Sequence, residues 1–238
     1  MLVMSKQAVT RFASLVEVAL QRYGSVWGFS RQFVRGKLLH DPVYNHLMRH
    51  TAWVPNEGLV LDLGCGRGIL LSLLATALQS GALNRPGVRL MGVETRASDA
   101  EVARKALGDA ARIEQQDVLD FVFPVCRTII LLDVLLYIDA AGQLTLLDNI
   151  AAHLEADGLL IIREADAAMG WRFTVTALVE RLCAWARFDI RQRYHYRSRA
   201  EWITALEARG FRIRVEPMSS GTPFANVLML AHRTNPED

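Results

Sequence analysis

No apolar run in this 238-residue sequence approaches the roughly twenty residues that a membrane-spanning helix needs. The longest candidate, "TIILLDVLLYI", is interrupted by Asp133. The opening stretch "MLVMSKQAVTRFASLVEVAL" also lacks the pattern of a signal peptide. Glu17 falls inside the would-be apolar region, and Val9, Phe12, Ala13, Val16 and Leu20 recur with one-sided helical spacing. Cysteine is scarce: Cys65, Cys126 and Cys183 are far apart, odd in number and without metal-ligand spacing. That pattern excludes a disulfide scaffold, implies no metal, and fits a reducing compartment, so a cytoplasmic location is expected. Charged residues make up 22% and hydrophobic ones 51%, which excludes extensive disorder and allows one large core.

What is present is unevenly charged. The net charge of +2 conceals basic flanks around an acidic middle. Residues 1–50 carry Lys6, Arg11, Arg22, Arg31, Arg35, Lys37 and Arg49 against Glu17 and Asp41, and residues 181–214 carry nine arginines against Asp189, Glu201 and Glu207. Segment 55–165 has nine basic and fifteen acidic residues. Such segregation can steer an anionic partner to the flanks, although solvated helix faces produce it too.

Residues 5–52 predict two or three helices, the last starting at Asp41 as N-cap with Pro42 in the first helical position. After a break at Pro55, Asn56 and Gly58 the pattern alternates. "LVLDL", "VRLMGVE", "ARIEQQ", "RTIILL" and "LLIIRE" predict strands, separated by helices over "RGILLSLLATALQ", "ASDAEVARKALG" and "AGQLTLLDNIAAHLEADG", the last ending at Gly158. This alternation predicts a doubly wound α/β fold with a mostly parallel sheet. The tail reads as a long helix near 168–189, a helix "RAEWITALEARG", and strands "FRIRVEP" and "FANVLMLAHR" joined by "MSSGTP". The sixth strand is expected to run parallel to its neighbours, with "MSSGTP" on the ligand side.

The glycine loop of "VLDLGCGRG" (Val60–Gly68) can in principle hold a triphosphate, a dinucleotide or an S-adenosyl group. A triphosphate loop requires Lys followed by Ser or Thr, and "GRGILLS" has neither. The dinucleotide fingerprint G-x-G-x-x-G is not met, because "GCGRG" places the third glycine one position early. Asp62, two residues before the first glycine, would also oppose a pyrophosphate while suiting a ligand that carries an ammonium and a sulfonium. Glu94 ends the second strand, where an acid can take a ribose hydroxyl pair. Asp117 follows the third strand and Asp133 ends the fourth. Four acids at the carboxyl ends of parallel strands mark a ligand crevice.

These stretches resemble the class I S-adenosylmethionine-dependent methyltransferases: "VLDLGCGRG", "GVE", "QQDVLD" and "IILLDVLLYID" are similar to that family's first four motifs. "HLEADGLLIIRE" is similar to the segment around its fifth strand. The resemblance implies S-adenosylmethionine as cofactor and a seven-stranded sheet with an antiparallel last strand. It places Asp62, Gly64, Cys65, Gly66, Glu94, Thr95, Asp117, Val118 and Asp133 at the cofactor. It further implies an N-terminal helical lid over 1–54, a Rossmann-like core over 55–165, and a helical cap with a sheet-completing hairpin over 166–238.

The acceptor is less constrained. "DVLLY" stands where the nucleic-acid amino methyltransferases of this family carry Asn/Asp-Pro-Pro-aromatic, so a nucleic-acid substrate is not expected. "FVRGKLLHDPVY", "READ" with "GWRF", and "GTPFANVL" resemble small methyltransferases of aryl-polyene and fatty-acid-like pigment pathways. That resemblance implies a hydroxylated aromatic acid or its acyl thioester, with an acidic acyl carrier protein as a possible partner. A phenol benefits from a base, for which Tyr137, Glu164 and His195 are candidates. Arg35, Tyr44 and Thr222 are candidate substrate contacts, and Trp27, Phe29, Trp171 and Phe173 are candidates for an aromatic wall. His40, His46 and His50 have no metal-site spacing. The alternatives are an NAD-dependent oxidoreductase and a non-catalytic S-adenosylmethionine-binding regulator.

Overall fold

Periodicity and caps set the N-terminal helices α1 (Lys6–Gln21), α2 (Gly28–His40) and α3 (Pro42–Arg49). The structure, a computed structural model, describes residues 6–24, 28–186 and 192–234. Asp41 caps α3 by accepting a bond from the Val43 N–H at 3.2 Å, with Pro42 at the first position as predicted. By internal contacts the chain forms two compact units, residues 1–121 and 122–238.

In the first unit the apolar runs form β1 (Glu57–Leu63), α4 (Ile69–Gln79), β2 (Gly87–Glu94), α5 (Ala97–Leu107) and β3 (Arg112–Gln115). β1 and β2 are parallel with Asp62 beside Gly92, and β2 and β3 are parallel with Glu94 beside Gln115. α4 is buried from Ile69 to Ala77, which accounts for its nearly continuous apolar sequence. Each such leucine contributes roughly 1.5–3 kcal/mol by burial.

The second unit contains β4 (Cys126–Leu132), a 3-10 turn at Leu135–Tyr137, α6 (Ala140–His153), β5 (Leu154–Ala165), α7 (Trp171–Ala186), α8 (Arg199–Glu207), β6 (Phe211–Pro217) and β7 (Asn226–Arg233). β4 and β5 are parallel, whereas β7 pairs antiparallel with both β5 and β6. α8 opens on a capping box, in which Glu201 accepts from the Ser198 N–H at 2.7 Å and Ser198 Oγ accepts from the Glu201 N–H at 3.3 Å. The strand order is β3-β2-β1-β4-β5-β7-β6, a seven-stranded mixed sheet with helices beside it.

Two expectations are corrected. α6 does not run to Gly158: it ends at His153, and "LEADG" begins β5 instead. Leu154 pairs with Cys126, the register shifts before Thr128, and Asp157 takes a left-handed φ of 57°, so the acid–glycine pair makes an irregularity inside the strand. β6 is not parallel to its neighbour either. It lies at the sheet edge and pairs antiparallel with β7. Among the described residues, no helix is long and apolar enough to cross a membrane.

Candidate active site

In the first unit β1 delivers Asp62, and the chain then turns through Gly64, Gly66 and Gly68, all with positive φ. The N–H groups of Gly64 and Cys65 converge on the Val93 carbonyl at 2.8 and 3.0 Å, tying the loop to the end of β2. Gly66 has φ +55°, and a Cβ there would meet nothing within 4 Å. Conformation and an open approach therefore select glycine at this position. Gly92 is selected by packing, since a Cβ would lie 2.7 Å from Cys65 Sγ.

Glu94 is buried and doubly held. Its Oε2 accepts from the Gly66 N–H and its Oε1 from the Arg96 N–H, both at 2.8 Å. Each oxygen keeps a second lone pair with which to accept a hydroxyl. Asp62 is 4% exposed and has no hydrogen-bond donor among the described residues. Burial first, and then the nearby Glu94 charge, push its carboxyl up to about 8. Burial also raises the Cys65 thiol, with Asp62 and Glu94 adding to the shift, so Cys65 packs as a neutral thiol. A buried acid without a donor beside an open glycine turn fits the cationic amino-acid end of S-adenosylmethionine, with Glu94 suited to its ribose. The Gln116 N–H donates to the Glu94 carbonyl at 3.1 Å, which brings the following turn alongside. There Asp117 is exposed and accepts from the Leu119 N–H at 2.9 Å, Val118 is buried, and Thr95 is exposed.

Sequence patterns missed the brace behind this loop. Tyr23, fully buried at the end of α1, donates its hydroxyl to the Arg67 carbonyl at 2.9 Å. Arg67 pairs with Asp99 at 3.0 Å and stacks over the Phe33 ring at 4.6 Å. Arg35 is exposed on α2, and Tyr44 is buried on α3. Trp27 and the Phe29 side chain lie outside the described residues.

In the second unit the Leu135–Tyr137 turn gathers three of the predicted residues. Glu164 Oε1 accepts from the Val134 and Leu135 N–H groups at 3.0 and 2.7 Å. The His195 N–H donates to the Leu136 carbonyl at 2.8 Å, and the His195 carbonyl accepts from Gln143 Nε2 at 2.8 Å. Tyr137 closes the turn and donates to Glu180 Oε2 at 3.4 Å. Glu164 is 2% exposed, and burial, with Asp133 next, pushes its carboxyl up to about 8 despite the two N–H donors. Asp133 adopts φ 58° and takes Arg163 on both of its oxygens, Nε at 2.9 Å on Oδ1 and Nη2 on Oδ2.

The turn is walled by aromatics. Tyr194 lies 5.7 Å from Tyr137 and 6.0 Å from Tyr196 between ring centroids, and Phe173 meets Tyr196 edge-on at 4.9 Å. The Tyr196 hydroxyl is buried with no hydrogen-bond partner among the described residues. Burial, with Glu180 and then other neighbours, raises its proton affinity, so it remains a donor. Of the predicted aromatic wall, Phe173 belongs here while Trp171 is exposed. Thr222 sits in the β6–β7 connection, where its carbonyl accepts from Arg172 Nη1 at 2.7 Å.

The sequence matches the model of a family described as methyltransferase domain over residues 43–215. No curated protein matches the chain. Among solved structures it is similar to the magnesium protoporphyrin IX methyltransferase of Synechocystis PCC 6803 with bound SAH. Identity is 21%, coverage is 91% of this chain and 95% of that one, and the TM-score is 0.60. The pyocyanin biosynthetic protein PhzM is 20% identical, with 90% and 62% covered and a TM-score of 0.62. A possible histamine N-methyltransferase of Thermotoga maritima is 15% identical, with 91% and 100% covered and a TM-score of 0.57.

Proposed function

The chain belongs to the methyltransferase-domain family and uses S-adenosylmethionine, and we propose that it methylates a small hydroxylated aromatic acceptor, free or as an acyl thioester. The observation that carries this acceptor class is the tyrosine-lined turn of the second unit, with a buried acid and an unpartnered Tyr196 hydroxyl. Aromatic rings pack on Tyr137, Tyr194, Tyr196 and Phe173 with 4.5–7 Å geometry of the kind these four already share. The names of two structural relatives point the same way, one being a magnesium protoporphyrin IX methyltransferase and the other a pyocyanin biosynthetic protein.

The cofactor supplies an electrophilic methyl group on a sulfonium. Asp62 and Glu94 would hold and orient it, with Gly64, Cys65, Gly66 and Thr95 assigned to its amino-acid end and Asp117 with Val118 to the adenine. At the acceptor, Glu164 would take the proton displaced when the oxygen or ring carbon receives the methyl group that the bound cofactor would supply, its sulfur leaving as the neutral thioether. A carboxyl titrating near 8 is a better match to a phenol than an ordinary one. Tyr137 and His195 position the acceptor beside it. Thr222 is assigned to its outer contacts, and the basic 181–214 segment to an acidic acyl carrier in an aryl-polyene-like pathway.

The test is transfer of labelled methyl to hydroxybenzoic and hydroxycinnamic acids and to their carrier thioesters. Glu164→Gln is expected to lower kcat by about a hundredfold with cofactor affinity unchanged. It should also remove a rise in rate as pH increases through about 8. Tight cofactor binding with no transfer to any of these acceptors favours a non-catalytic regulator.

A further inference from the structure

α7 carries its apolar residues on the wrong side for a helix of a closed core. Trp171, Leu178, Leu182 and Trp185 are 64, 57, 55 and 71% exposed, while the buried positions are Thr176 and Ala184. With the part-exposed Val175, the outward residues fall at 171, 175, 178, 182 and 185, at intervals of four, three, four and three. That is the spacing of a heptad seam, with Trp171, Leu178 and Trp185 in d positions and Val175 and Leu182 in a positions. At about 100° per residue the stripe spans roughly 80° and runs for about 21 Å. It is narrower than the apolar face of a helix that lies in a bilayer surface and matches the seam of paired helices.

The flanks choose the partner. Arg181 is exposed beside the seam, Arg172 borders it while donating to the Thr222 carbonyl, and Arg193 and Arg199 are exposed in the segment that follows. The acid of α7, Glu180, turns inward to the Tyr137 hydroxyl. Antiparallel pairing with a second copy over the whole seam centres on Leu178 and sets Arg181 opposite Val175 and Arg172 opposite Ala184, and parallel pairing likewise offers those arginines no acid. Five side chains also cover only about 500 Å² per partner, short of the roughly 800 Å² of a stable interface. We propose that the outer face of α7 is a docking site for an amphipathic helix of an acidic protein, with apolar a and d residues between flanking carboxylates. The encounter is transient and goes beyond the acceptor assignment, on which it does not depend.

The probe is a Trp-free synthetic helix of about three heptads, with Leu at a and d and Glu at e and g, titrated into the full chain. A second peptide carries Lys at e and g. Expected are a saturable blue shift of tryptophan emission, binding of the Glu peptide at least about tenfold tighter than the Lys peptide, and loss of both effects in Leu178→Glu/Leu182→Glu. Arg181→Glu, a single surface change, should narrow the preference for the Glu peptide or reverse it. Melting curves and S-adenosylhomocysteine affinity check that the variants fold. No binding, or equal binding of the two peptides, overturns the proposal. So does a dimer in sedimentation that the double substitution dissociates, which gives the face to a second copy. Binding to phosphatidylglycerol vesicles that the double substitution abolishes gives it to a membrane and overturns the proposal as well.

Discussion

Asp62 and Glu164 are buried to the same degree, and each is pushed up to about 8 by burial with a neighbouring acid adding to it. Their surroundings differ. Glu164 rests on two backbone N–H donors and lies next to Arg163, a cation the fold itself supplies. Asp62 has Glu94 nearby and no donor among the described residues. One acid is partly compensated from within, and the other has no compensating group among the described residues. Burial alone therefore does not tell an acid suited to a cation from one suited to accepting a proton; the groups around each do.

The sharpest way to break this contrast is to remove the internal cation. Arg163→Met leaves the Asp133 carboxylate without the guanidinium that holds both of its oxygens. Asp133 keeps 30% of its side chain exposed, so a loss of about 3 kcal/mol is expected, the low end for a broken buried pair. The urea midpoint should fall with an unchanged slope. A shift under about 0.5 kcal/mol would mean that the pair contributes nothing of its own.

Asp62→Asn should act in the opposite sense on stability. The folded state holds a proton on Asp62 that the unfolded chain, with an ordinary carboxyl near 3.8, has already released. Stability from this group is therefore full below about pH 4 and is lost as pH rises through about 8. The asparagine variant should be more stable than the wild type at pH 7 without cofactor, with a flatter dependence between those limits. S-adenosylmethionine affinity, measured by calorimetry, should nevertheless drop at least about tenfold, or roughly 1.4 kcal/mol. Equal affinity would remove Asp62 from the cofactor site.

The glycine turn and its acids were legible because each depends on neighbours a few residues away. Glycine spacing, an acid before the turn and an acid at a strand end all survive as local pattern. What stayed hidden joins distant positions. Tyr23 and Arg67 are separated by 44 residues, and Tyr137 meets Glu180 across 43. Gly92 reads as an ordinary strand glycine until Cys65 is seen above it. The boundary of α6 was misplaced for a related reason: "HLEADG" looks like a helix C-terminus, and only pairing with Cys126 draws Leu154 into β5.

The brace from α1 provides the mildest test of how the cofactor side is built. Tyr23→Phe removes one hydroxyl and leaves the Arg67 carbonyl without that donor. Burial keeps the Tyr23 proton in place up to about 12, so the bond persists at every pH at which the protein would be assayed. Its loss should cost about 1 kcal/mol of stability. Because the carbonyl lies in the turn between Gly66 and Gly68, the Gly66 and Gly68 amides should exchange faster with solvent. Cofactor affinity should fall about threefold, less than for Asp62→Asn, since Asp62 itself is untouched. Faster exchange with unchanged affinity would show that the turn reforms on the ligand without help. Lower affinity with unchanged exchange would instead place Tyr23 in contact with the ligand rather than behind the turn.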